Sequence, residues 1–112
     1  MIPDWVKEFG AAITVCDEKG IIVAMNEKAR CTFETTENAP LVGRNMFDCH
    51  QPGSQEKIRQ MMERKAPNVY TIEKKGVKKL IYQAPWYESG VFKGLVEISM
   101  ELPAEVPHKV RG

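Results

Sequence analysis

The last third of the chain carries three consecutive β-rich runs, "NVYTIEKK", "KKLIYQAPWYE" and "FKGLVEISMEL", separated by a turn at Gly76 and a second at Ser89-Gly90. Short runs of β-branched and aromatic residues bounded by glycine turns predict an antiparallel meander, with Val96, Ile98 and Met100 on one face of its final strand. Three such strands must bury a face against something, which confines the rest of the chain to supplying cover or further strands.

The middle run has bulky residues at both parities, Leu80, Tyr82 and Trp86 against Ile81 and Tyr87, whereas a sheet with one wet face alternates cleanly. A second cover is therefore expected, either the N-terminal segment or another copy of the protein.

Upstream, "AAITVCD" and "IIVAMN" read as strands of a hairpin around "EKG". Asn26 can then cap a short helix over "EKARCTF", with Glu27 in its first turn and Ala29 and Phe33 four residues apart. "ETTENAPLVGRN" has the Asn, Pro and Gly of a surface connection. "SQEKIRQMMERKA" predicts the longest helix, with Ser54 as cap, an apolar stripe of Ile58, Met61 and Met62, and Pro67 as its stop. At the start, "DWVKEF" predicts a short amphipathic helix capped by Asp4, with Trp5, Val6 and Phe9 clustered and Gly10 ending it.

The 112 residues suit one domain. Its parts are a helical cap over residues 1–10, a body over 11–102, and a tail over 103–112 in which Pro103 and Pro107 oppose a continuous helix. The order strand, strand, helix, connection, helix and three strands is that of an α+β domain with its helices on one sheet face.

A net charge of +1 gives no reason to expect nucleic acid or a membrane surface. "EKKGVKK" reads as a solvated hairpin without the interleaved aromatics of a strand-binding surface. No secretory signal or membrane-length apolar run is visible, so the cytoplasm is the expected compartment. Cys16, Cys31 and Cys49, an odd number at wide spacing, are expected as reduced thiols, the first two as packing.

Three stretches carry a family likeness: "ITVCDEKGIIVAMNEKA", "LVGRNMFD" and "YQAPWYESGVFKGLVEIS". In that order and spacing they resemble the opening hairpin and Asn-started helix, the Gly-Arg-x-hydrophobic-Phe joint and the closing hairpin of a PAS domain, over roughly residues 8 to 101. The Phe-Asp-Cys-His run of "GRNMFDCHQPGS" is similar to that of a prokaryotic sensory subgroup. The resemblance implies a PAS-like five-stranded antiparallel sheet with helices packed on one face. It also implies a cytoplasmic signal-sensing module that holds a small, largely apolar or weakly acidic molecule between sheet and helices and signals through protein contacts.

The ligand contacts so implied are Met25, Phe33, Phe47, His50, Ile58, Met62, Tyr82 and Ile98. A homodimer and a signalling protein are the implied partners, with Trp5 and Phe9 at an interface. The alternative is a ligand-free dimerisation or adaptor module, built on Trp5, Phe9 and the outward face of the last three strands.

Asp48-Cys49-His50 packs three metal-binding side chains together, but adjacent residues seldom converge on one ion, and Asp48 reads better as a cap paired with Gln51. His50 is the one sensible axial ligand for a haem sensor, and no cofactor is obligatory. Met25, Met46, Met61 and Met62 suit packing or an adaptable pocket, and Arg44 suits a loop tie to a backbone carbonyl or an anchor for a carboxylate in the cleft. Neither paired carboxylates, a Ser-His-Asp set nor a phosphate loop can be assembled, so an enzyme is not expected.

Overall fold

The computed structural model describes residues 2–46 and 52–112. The meander forms as its pattern predicts, with β3 at Asn68–Lys74, β4 at Val77–Glu88 and β5 at Val91–Leu102. Both its turns are two-residue connections, Lys75-Gly76 between the paired Lys74 and Val77, and Ser89-Gly90 between the paired Glu88 and Val91. All four turn residues have positive φ, the condition for a type I′ turn whose twist matches that of the strands.

The N-terminal hairpin supplies β1 at Ala12–Asp17 and β2 at Ile22–Met25. Asp17 shapes its turn, its Oδ1 accepting from the backbone N–H of Lys19 and of Ile21, both at 2.9 Å. β1 pairs with β5, which closes one five-stranded antiparallel sheet in the order β2-β1-β5-β4-β3. The α+β architecture expected from the sequence is thus the observed one.

Among the described residues the helices are α1 at Asp4–Lys7, α2 at Glu27–Phe33 and α3 at Pro52–Arg64. Asn26 caps α2, as its position predicts, with Oδ1 accepting from the N–H of Ala29 at 3.0 Å. Two other caps differ from expectation. Asp4 lies inside α1, where Pro3 occupies the cap position without a side-chain bond, and α1 ends at Lys7, ahead of Gly10. Ser54 lies inside α3, which opens two residues earlier at Pro52, because proline's fixed φ and missing N–H suit a first helical position.

The core has two clusters. Ala12, Ile22, Met25, Ala29 and Leu41 join the hairpin to α2 and the connection, while Cys16, Ile58, Met61 and Leu95 join the sheet centre to α3. Met46 packs against both. Burial of a side chain such as Ile58 or Leu95 stabilises the fold by about 1.5–3 kcal/mol, so α3 is held mainly by its apolar stripe.

Close backbone approach fixes where β5 meets β1. Gly94 has φ +142°, and a Cβ there would lie 2.0 Å from the Cys16 carbonyl oxygen. The missing side chain leaves room for Trp86, which pairs with Gly94 across β4 and β5, to donate Nε1–H to that same carbonyl at 3.1 Å.

Asn26 is the junction of the N-terminal half. Only 1% exposed, it makes four hydrogen bonds with its side chain: Nδ2 donates to the carbonyls of Val6 at 3.0 Å and Ala11 at 2.8 Å, and Oδ1 accepts from Ile13 N–H at 2.9 Å as well as from Ala29. Aspartate caps isolated helices as well as asparagine does, but here it would set a carboxylate oxygen against two carbonyls. Asn26→Asp is expected to lower stability by about 3 kcal/mol or more in urea unfolding. A loss below about 1 kcal/mol would mean that helix capping is all Asn26 provides.

Candidate functional site

The strand register sorts the residues of the sheet into rows. One face carries Met25, Thr14, Glu97, Gln83 and Asn68 in one row across all five strands, flanked by a row of Ile22, Cys16, Leu95 and Pro85. A third row on this face is Ala12, Ser99, Ile81 and Tyr70. Because successive residues of a strand point to opposite faces, Ile13, Ile98, Tyr82 and Val69 form a row on the other side.

A cavity of about 350 Å³ lies over the first face, at the lower end of the size range of small-molecule clefts. Its apolar lining comes from both core clusters: Ile22, Met25 and Leu41 on one side, Cys16, Ile58, Met61 and Leu95 on the other, with Met46 between them. Phe33, from the end of α2, is part of the lining and also partly exposed.

On the sheet, the polar lining is Thr14, Gln83 and Glu97 of the central row. Asn68 Nδ2 donates to Gln83 Oε1 at 3.1 Å, and Gln83 Nε2 donates to Glu97 Oε2 at 2.7 Å. A carboxylate only accepts, so Glu97 fixes which end of the Gln83 amide faces it, and Gln83 in turn orients Asn68. The charge of Glu97 is felt by its neighbours. It adds to burial in raising the Tyr70 phenol above its usual range. The Cys16 thiol is pushed up to about 11, chiefly by burial, with Asp17 and Glu97 adding to it and a backbone hydrogen bond at Leu95 opposing.

Of the contacts implied by the family likeness, Met25, Phe33 and Ile58 come together in the lining. Met62 packs behind it, against the α3 cluster. Tyr82 and Ile98 are not brought to the cavity: they pair with each other on the opposite face of the sheet, where Tyr82 is exposed. Phe47 and His50, the latter the axial candidate of the haem reading, lie outside the described residues, as does the Asp48–Gln51 cap. The described lining contributes no histidine, and no group of three or more His, Cys, Asp or Glu residues suited to a metal ion occurs among the described residues.

Arg44 ties the connection rather than reaching into the cavity, its Nη1 donating to the Asn38 carbonyl at 3.0 Å. Asn38, itself part of the lining, closes the same loop by donating Nδ2–H to the Phe33 carbonyl. The sequence reading missed Thr14, Gln83 and Glu97, since a polar residue in a strand is ordinarily solvent-facing. The usable signal was that Gln83 and Glu97 share parity with the apolar Ile81 and Leu95.

Three solved structures show what this fold is similar to. A PAS domain from Colwellia psychrerythraea superposes with a TM-score of 0.63 at 21% identity, covering 88% of this chain and 91% of that one. The PAS domain of BvgS from Bordetella pertussis gives 0.64 at 16% identity, covering 88% and 81%. The PAS domain of the histidine kinase ThkA gives 0.64 at 22% identity, covering 82% and 99%. The chain has the PAS fold. No family model matches it, and no curated protein sequence does either.

The raised Cys16 thiol gives the site a pH signature. The folded thiol keeps its proton to about 11, whereas an unfolded one releases it near its ordinary value of 9.0, so the stability linked to Cys16 is complete below 9 and lost as pH rises towards 11. Peptide mapping after iodoacetamide treatment at pH 8 is expected to show exposed Cys31 alkylated and buried Cys16 protected, with Cys16 reacting on unfolding. Equal labelling of the two in the folded protein would contradict the burial of Cys16.

Proposed function

We propose that this chain is a cytoplasmic, non-catalytic PAS-type sensor. It holds a small, mostly apolar molecule between the inner sheet face and helices α2 and α3, and transmits occupancy through protein contacts. The observation that carries this reading is the cavity itself, which lies between two well-packed clusters and is lined largely by Ile, Leu, Met and Phe side chains. A ligand seated there would touch both clusters at once, so binding would stiffen the join between the hairpin with α2 and the sheet centre with α3. The similar PAS domain of a histidine kinase supports a signalling setting.

Native mass spectrometry of the purified protein is expected to show a retained small molecule. Thr14→Phe, which places an aromatic ring on the cavity floor, is expected to abolish that retention with the circular dichroism spectrum unchanged. A saturating ligand should raise the melting temperature of the native protein by about 5 °C or more and leave that of the variant unmoved. The reading falls if nothing is retained and no compound in a small-molecule library shifts the melting temperature.

A pairing function is favoured by a separate observation. Trp5 is 68% exposed and packs edge-to-face on the exposed Phe9 at 5.9 Å, while Val69, Tyr82 and Met100 are exposed on the outer sheet face. Rings of this size left open on a small domain suit an interface. Trp5→Glu is expected to weaken a homodimer by tenfold or more in sedimentation velocity. A native protein that stays monomeric at all attainable concentrations would remove this reading.

A further inference from the structure

The cavity is not chemically uniform. Among the described residues that line it, Glu97 alone carries a formal charge, and its neighbours along the row are the uncharged Thr14 and Gln83. In the flanking rows on this face the residues beside it are Leu95 and Ser99, which contribute no cation.

The hydrogen-bond row has a direction that ends on this carboxylate. Gln83 uses its acceptor on Asn68 and its donor on Glu97 Oε2, so neither amide is left to rotate and offer Glu97 anything different. Among the described residues no lysine or arginine forms an ion pair with Glu97, while Lys28 pairs with Glu101 and Arg59 with Glu56. The thiol opposite Leu95, Cys16, is neutral at neutral pH and in neither of its forms carries a positive charge.

Glu97 is half-buried in a largely apolar lining and accepts one amide hydrogen bond, and a ligand that brings a cationic donor to it adds a charge-assisted bond there. An acidic ligand would meet like charge. We propose that the cavity selects a molecule with an apolar body and a protonated amine or amidinium head, the head seated on Glu97 and the body among Met25, Ile58 and Met61. This rests on the reading of the cavity as a ligand site; of the largely apolar or weakly acidic molecule implied by the family likeness it keeps the apolar body and gives the head the opposite charge. Glu97 is here a specificity-determining residue and Gln83 the residue that positions it.

The test uses three probes of similar shape and different head: 2-phenylethylamine, 2-phenylethanol and 3-phenylpropanoate. Each is titrated into the native protein while the methyl signals of Met25 and Met61 are followed by NMR. The amine is expected to bind about tenfold or more tightly than the alcohol, and the propanoate more weakly than either. In Glu97→Gln, which keeps the shape and an acceptor for Gln83, the amine should lose about tenfold while the alcohol binds as before. If the alcohol or the propanoate shifts the same methyls with an affinity equal to that of the amine, the charge preference is wrong while the ligand cavity stands. An amine whose affinity is unchanged in Glu97→Gln would likewise overturn the role of Glu97. If none of the three shifts the methyls, the ligand cavity fails and the proposal with it. Should Glu97→Gln not fold, the comparison of the three probes on the native protein decides alone.

Discussion

One buried amide joins segments that local structure alone would leave apart. Asn26 spends all its hydrogen-bonding capacity on the backbone of the α1 segment at Val6, the entry to β1 at Ala11 and Ile13, and the first turn of α2 at Ala29. The Val6 carbonyl also accepts from the backbone N–H of Phe9, but the Ala29 N–H lies in the first turn of α2, where the helix itself supplies no acceptor, so the amide provides one. The position of α2 over the hairpin, and with it Phe33 and the cavity wall, follows from this bonding. An apolar residue of the same size could fill the space but could not set the angle at which three chain segments meet.

A second constraint fixes the other side of the cavity. Gly94 lets β5 approach β1 so closely that Trp86 can bond across it to Cys16, which locks β4, β5 and β1 in one register. Side-chain direction reverses with each residue, so a slip of one position would turn Glu97 and Gln83 to the outer face and bring Ile98 and Tyr82 inward. The chemistry of the cavity is therefore a property of register as much as of composition.

Much of the architecture is legible in the sequence because its signals are local. Lys75-Gly76 and Ser89-Gly90 announce the hairpins, Asn26 announces α2, and the Ile58, Met61 and Met62 stripe announces which side of α3 is buried. Arg44, too, makes the loop tie its position suggested. The caps of α1 and α3 were harder, because Asp4 and Ser54 have good capping side chains but follow a proline that already starts the helix. The cavity floor was hardest. Choosing the apolar parity of β5 selects Val96, Ile98 and Met100, and rejects Glu97 as a solvent residue. That choice presumes one buried face, whereas this sheet is apolar on both and sets its polar row against the cavity.

The two-sided character of the sheet links the candidate site to the outside. Glu97 and Gln83 on the inner face alternate in sequence with Ile98 and Tyr82 on the outer one, on the same two strands. On the proposed reading, a ligand that pulls on Glu97 would act on strands whose other side leaves Tyr82 and Met100 exposed. Strands cannot tilt or twist on one face alone, so any adjustment that seats a ligand head on the polar row must also move the outer apolar row. Two strands thus join the cavity floor to an exposed outer surface, with no long relay across the domain between them.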